Sequence, residues 1–96
     1  MAQFDAVRVT GGVIVLDCQS NFLADLPTRF VVPLRATKQV DLPRLTPRFD
    51  VDGHLLTMVT PFARSIDKRD ILGVVASLSD HEYEIKTALD MLVTGF

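Results

Sequence analysis

The chain reads as a mostly β protein, a barrel of about five to seven strands with one C-terminal helix over Ser79 to Val93. Three observations predict this. Gly11-Gly12 and Asp52-Gly53 each separate two short runs rich in β-branched or aromatic residues, which is the pattern of a hairpin. Ser79-Asp80-His81-Glu82 then precedes apolar residues at helical spacing.

Taken in order, Phe4 to Val9 alternates apolar and polar residues and reads as a strand. Val13-Ile14-Val15-Leu16 is too short for a helix and reads as a buried strand, the second arm of the hairpin. Gln19 to Thr28 is a connection containing Pro27. Arg29 to Leu34 is a further strand, and Pro33 places its end at a sheet edge or a bulge. Arg35 to Pro47 is irregular, with Pro43 and Pro47 as breakers. Arg48 to Val51 and Leu55 to Val59 form the second hairpin. Phe62 to Ile66 reads as a short helical turn or a loop, and Ile71 to Val75 as a strand or a loop packed on the core.

In the helix, the Ser79 hydroxyl and the Glu82 carboxylate suit a reciprocal capping box, with Leu78 and Tyr83 placed for a hydrophobic staple. Ile85, Ala88, Leu89 and Leu92 share one face. Met91 falls off that stripe and Val93 lies near its edge, so the last turn is apolar over more of its circumference than one core contact needs. Gly95 suits the position just past the helix. The apolar run Met91 to Phe96 therefore reads either as the completion of the core or as a surface covered by a second subunit or a partner.

Composition narrows the function. The chain has 96 residues, 48% of them apolar, which makes one domain with a modest core that oligomerisation commonly supplements. The net charge of −2 and the lack of any Lys/Arg block argue against a broad nucleic-acid face. No apolar run reaches the length of a membrane span, and the first residues do not form a signal peptide. The single cysteine, Cys18, forbids an internal disulfide and suits a reducing cytoplasm.

Candidate chemistry is sparse. His54 and His81 lack ligand-spaced partners, so no metal or other cofactor is expected. Cys18 ends an apolar strand with no cationic neighbour in sequence and reads as a structural thiol. Arg64, Ser65 and Asp67 have the residue types for phosphodiester chemistry, but clustered polar residues ahead of Lys68-Arg69-Asp70 read more simply as a solvated loop.

Several blocks, in order and at their spacing, carry a resemblance. Met1-Ala2-Gln3-Phe4, Asp17-Cys18-Gln19-Ser20, Val31-Val32-Pro33-Leu34, Leu78-Ser79-Asp80-His81-Glu82 and Glu84-Ile85-Lys86 resemble the CcdB-type toxins of toxin–antitoxin modules nearly end to end. The resemblance implies a single toxin domain over residues 1–96 with an SH3-like β-barrel. It also implies a homodimer, and the apolar last turn places the helices near its two-fold axis with Met91 and Val93 at that interface. Such toxins bind the A subunit of DNA gyrase and trap it on cleaved DNA without chemistry of their own, and a cognate antitoxin removes them. On this chain the gyrase-contacting positions would be Ser20, Phe22, Leu23, Asp90, Val93, Thr94, Gly95 and Phe96. Phe22 and Leu23 stand where the family has paired Ile residues. Asp90 and Val93 replace Asn and Phe, and Thr94 replaces a Trp that stacks on a gyrase arginine. The alternatives are a CcdB-fold protein with altered or lost poisoning, and an endoribonuclease toxin of the MazF or Kid kind.

Overall fold

The computed structural model describes residues 2–37 and 42–95. Seven strands make one antiparallel sheet: β1 (Asp5–Val9), β2 (Ile14–Asp17), β3 (Thr28–Arg35), β4 (Arg48–Val51), β5 (His54–Met58), β6 (Arg64–Asp67) and β7 (Ile71–Ser77). The helix α1 covers Glu82–Thr94. The spatial order is β4-β5-β3-β2-β1-β7, with β6 also paired to β3. The sheet curls into a half-barrel, and α1 packs against its inner face.

Both predicted hairpins form. Asp52 (φ 52°) and Gly53 (φ 84°) both take positive φ, which a two-residue turn matched to strand twist requires. The central residues of β2 and β3 are apolar because both faces of the sheet are covered there. Leu16, Cys18, Val32 and Leu34 enter the main core with Phe4, Phe49, Met58, Ile85 and Ala88. Val15 and Val31 point the other way, into a smaller cluster with Val7, Val9, Ile66 and Ile71.

Four expectations need correction. Pro33 is not at an edge: β3 is interior, paired with β2 on one side and with β6 and then β5 on the other. Pro33 lies where β3 changes partner. A residue's N–H and C=O share one side of an antiparallel ladder, and the Pro33 carbonyl accepts from Val59 N on that side at 2.9 Å. The missing N–H therefore falls in the gap between the β6 and β5 ladders.

The capping box also does not form. A 3-10 turn over Ser79–His81 precedes α1, and Ser79 N–H donates to Ser77 Oγ at 3.3 Å. The Glu82 carboxylate reaches forward to Lys86 Nζ at 2.9 Å instead of back to Ser79. The staple is absent too: Leu78 is buried in the core while Tyr83 is 80% exposed beside Pro43 and Pro47. Finally, the stretch read as a loop from Arg64 to Asp67 is strand β6. β7 is a true strand, paired on one side with β1, and exposes Leu72 and Val74.

Candidate partner-binding surface

The most built part of the surface follows β2. Asp17 pairs with Val31 across the β2–β3 ladder, so Arg29, two residues back along β3, lies diagonal to it on the same face. Both side chains are buried, Asp17 at 0% and Arg29 at 1% exposure. Asp17 Oδ2 accepts from Arg29 Nε at 3.0 Å and from Nη2 of the same guanidinium. Asp17 Oδ1 accepts from Gln19 N at 3.1 Å. A buried carboxylate needs such partners, because desolvation alone costs several kcal/mol.

Gln19 carries this order outward. Its Oε1 accepts from Phe30 N at 2.9 Å, and its Nε2 donates to Leu23 O at 2.7 Å. The short 3-10 turn Asn21–Leu23 is thereby tied to β3 at its far end. Its near end is capped by Ser20 Oγ, which accepts from Phe22 N at 3.2 Å. From the N-terminal side, Gln3 N donates to Asn21 Oδ1 at 3.0 Å and Gln3 Nε2 to Cys18 O at 3.1 Å. From the other side, Lys68 Nζ donates to Ala24 O at 2.9 Å. The next residue after Gln3, Phe4, holds φ 71° with its ring in the core. Its N–H donates to Asp17 O and its carbonyl accepts from Leu78 N, so strained backbone sits directly under the turn. On this frame Phe22 is 99% exposed, with Leu23 and Leu26 half-exposed beside it. The ring is thus held in full solvent contact on a fixed turn.

The helix end is built differently. Ile85 and Ala88 are buried, Leu89 is partly so, Leu92 is 41% exposed and Val93 is 80% exposed. Met91 is half-buried along a shallow apolar groove with Leu42, Pro43 and Leu45. Gly95 ends the helix as the sequence predicts: it takes φ 82° and its N–H donates to Met91 O at 3.0 Å. The Thr94 hydroxyl donates to Asp90 O at 2.7 Å and so folds back on its own helix. The last turn holds no basic residue to oppose the helix dipole. Phe96 lies outside the described residues. Among the described residues no hydrogen bond joins the helix end to the Asn21–Leu23 turn, so the structure groups Ser20, Phe22 and Leu23 in one cluster and Asp90, Val93, Thr94 and Gly95 in another.

The half-barrel, the terminal helix and the turn after β2 agree with one family, whose model, described as CcdB protein, matches residues 3–95. The chain belongs to the CcdB family. It is accordingly a toxin of a toxin–antitoxin module. No curated protein matches it.

Arg64 and Asp67, three residues apart on β6, face opposite sides of the strand and do not converge. Asp67 instead caps the Lys68–Asp70 turn and binds Arg69, with Nη2 to Oδ2 at 2.8 Å. Those hydrogen bonds from the Arg69 side chain and backbone hold its carboxyl down at about 2, far from the range of an acid–base catalyst near neutrality. Cys18 is buried, and burial, with the charge of Asp17, pushes its thiol up to about 12, so it is structural as the sequence suggests. His81 lies against the Phe49 ring at 4.9 Å. Among the described residues, no group of three His, Cys, Asp or Glu could hold a metal ion, and no helix is long and apolar enough to cross a membrane.

The family resemblance names Ser20, Phe22 and Leu23 as contact positions. The supports of that turn, Gln3, Asp17, Gln19 and Arg29, are not marked as such by the resemblance. The available signal was two opposite charges, Asp17 and Arg29, at the adjoining ends of two apolar strands.

Proposed function

We propose that this CcdB-family toxin acts by binding, engaging the A subunit of DNA gyrase and holding the enzyme on cleaved DNA, until a cognate antitoxin displaces it. The observation that carries this reading is Phe22, fully exposed on a turn whose every flank is hydrogen-bonded to the frame. The family's stacking Trp is replaced at the helix end by Thr94, whose hydroxyl is taken up by Asp90. The aromatic area that a partner would bury is therefore supplied mainly by Phe22, with Leu23 beside it, and the helix end contributes Val93 and the bare backbone at Gly95. The toxin works as a homodimer in the cytoplasm, which presents two copies of the surface to a two-fold partner and gains from avidity.

The test is purified gyrase with plasmid DNA and ATP, quenched with detergent and scored for linear DNA. Wild-type protein yields a cleaved complex at micromolar concentration. Gly95→Glu abolishes it by bulk and charge. Gly95→Ala carries only the backbone cost of positive φ, about 1 kcal/mol, and retains most activity. A folded wild-type protein that yields no linear DNA at tens of micromolar refutes gyrase poisoning. RNA cleavage lost in Arg64→Ala or Asp67→Ala would favour the endoribonuclease alternative instead.

The dimer has two apolar features that ask for cover. Val93 marks the helix end, while Leu72 and Val74 mark the outer edge of β7. We place the subunit contact at the helix end. Val93→Asp then converts the dimer to monomer in light scattering at micromolar concentration. Persistence of the dimer in Val93→Asp, with its loss in Val74→Lys, moves the contact to the β7 edge.

A further inference from the structure

We infer that Gln19 is a positioning residue for partner recognition, a buried amide that clamps the Asn21–Leu23 turn so that Phe22 is presented in its bound-state geometry before any partner arrives; the inference rests on the gyrase reading for the identity of that partner.

Four observations carry it. Gln19 is 7% exposed although it lies in a surface connection, so its amide is a structural component and not a solvated side chain. Both ends of that amide are engaged, with β3 at Phe30 N and with the turn at Leu23 O. The Gln19 backbone N–H is fixed by Asp17, itself locked to Arg29, so the clamp is rooted in a buried ion pair and not in mobile surface groups. The residue the clamp presents, Phe22, makes almost no contact with its own chain, since 99% of its surface is open. A network of this depth under a side chain that supports nothing inside the protein is explained by what that side chain does outside it. Fixing an anchor before binding removes the ordering cost from the association step.

Gln19 therefore acts through Phe22, which distinguishes it from a residue that only stabilises the fold. In the full-length protein, Gln19→Ala removes both bonds. Gln19→Glu keeps the acceptor for Phe30 N and removes the donor to Leu23 O. Two readouts are taken on each. The first uses no partner: backbone order parameters of Asn21, Phe22 and Leu23, expected near about 0.85 in the wild type and below about 0.6 in both variants, with β2 and β3 unchanged. The second is equilibrium binding to purified gyrase A subunit, well below the melting temperature. Each Gln19 variant is expected to bind at least about tenfold more weakly, a loss of about 1.4 kcal/mol. The double variant Gln19→Ala/Phe22→Ala is expected to bind no more than about twofold more weakly than Phe22→Ala alone, because coupled residues are not additive.

Order parameters that stay high in Gln19→Glu overturn the clamp. Losses that add in the double variant overturn action through Phe22. If Gln19→Ala fails to fold, Gln19→Glu decides both points. No binding by the wild type overturns the gyrase reading, and the order parameters still decide the clamp.

Discussion

The two halves of the proposed surface are held by opposite means. The turn after β2 is wired inward: Ser20, Gln19 and Asp17 pass its constraints to Arg29 and to β3. At the helix end the hydrogen bonds among the described residues run back along the helix, from Gly95 to Met91 and from Thr94 to Asp90. The difference teaches where this family's surface is free to change. Changes to the turn's supports are expected to disturb the core, and changes to the exposed residues of the last helical turn to leave the fold intact.

The largest effect expected from this contrast lies under the turn. Arg29→Met leaves the Asp17 carboxylate buried without its cation, which costs about 3–5 kcal/mol. Domains of this kind hold about 5–15 kcal/mol in total, so the variant sits near the edge of folding. Urea unfolding reads it directly, and a loss below about 1 kcal/mol would mean that the pair is not the root of the turn. At the other extreme, Val93→Asp at the helix end changes monomer stability by no more than about 0.5 kcal/mol while it breaks the dimer. A large loss of intrinsic stability there would erase the contrast, because it would mean that the helix end is part of the core.

The sequence makes some of this legible and hides the rest for identifiable reasons. The turns at Gly11-Gly12 and Asp52-Gly53 are readable because positive φ is a local demand. β2 is readable as a buried strand because its run is apolar and β-branched, and β3 as a strand because it is dense in Phe and Val. Gly95 is readable because a helix stop needs only its own residue to turn left-handed. The Asp17–Arg29 pair is not, since it depends on the register of two strands joined by a ten-residue connection. Nor is the fate of Ser79: its pattern fits a capping box, but Ser77 and Lys86 offered competing partners. Pro33 marks a break, yet only the topology shows that the break is a change of partner within an interior strand.

The central claim is that a clamped Phe22 is the anchor by which this toxin holds its partner. The most direct test is calorimetric binding of wild type and Phe22→Ala to purified gyrase A subunit, with Phe22→Leu as an apolar control. Phe22 supports nothing within its own chain, so Phe22→Ala keeps the melting temperature of the wild type. A binding anchor contributes about 2 kcal/mol or more, so Phe22→Ala is expected to bind about thirtyfold more weakly or worse, with Phe22→Leu between the two. A Phe22→Ala protein that binds within twofold of a wild type that does bind contradicts the claim and moves the anchor to the helix end.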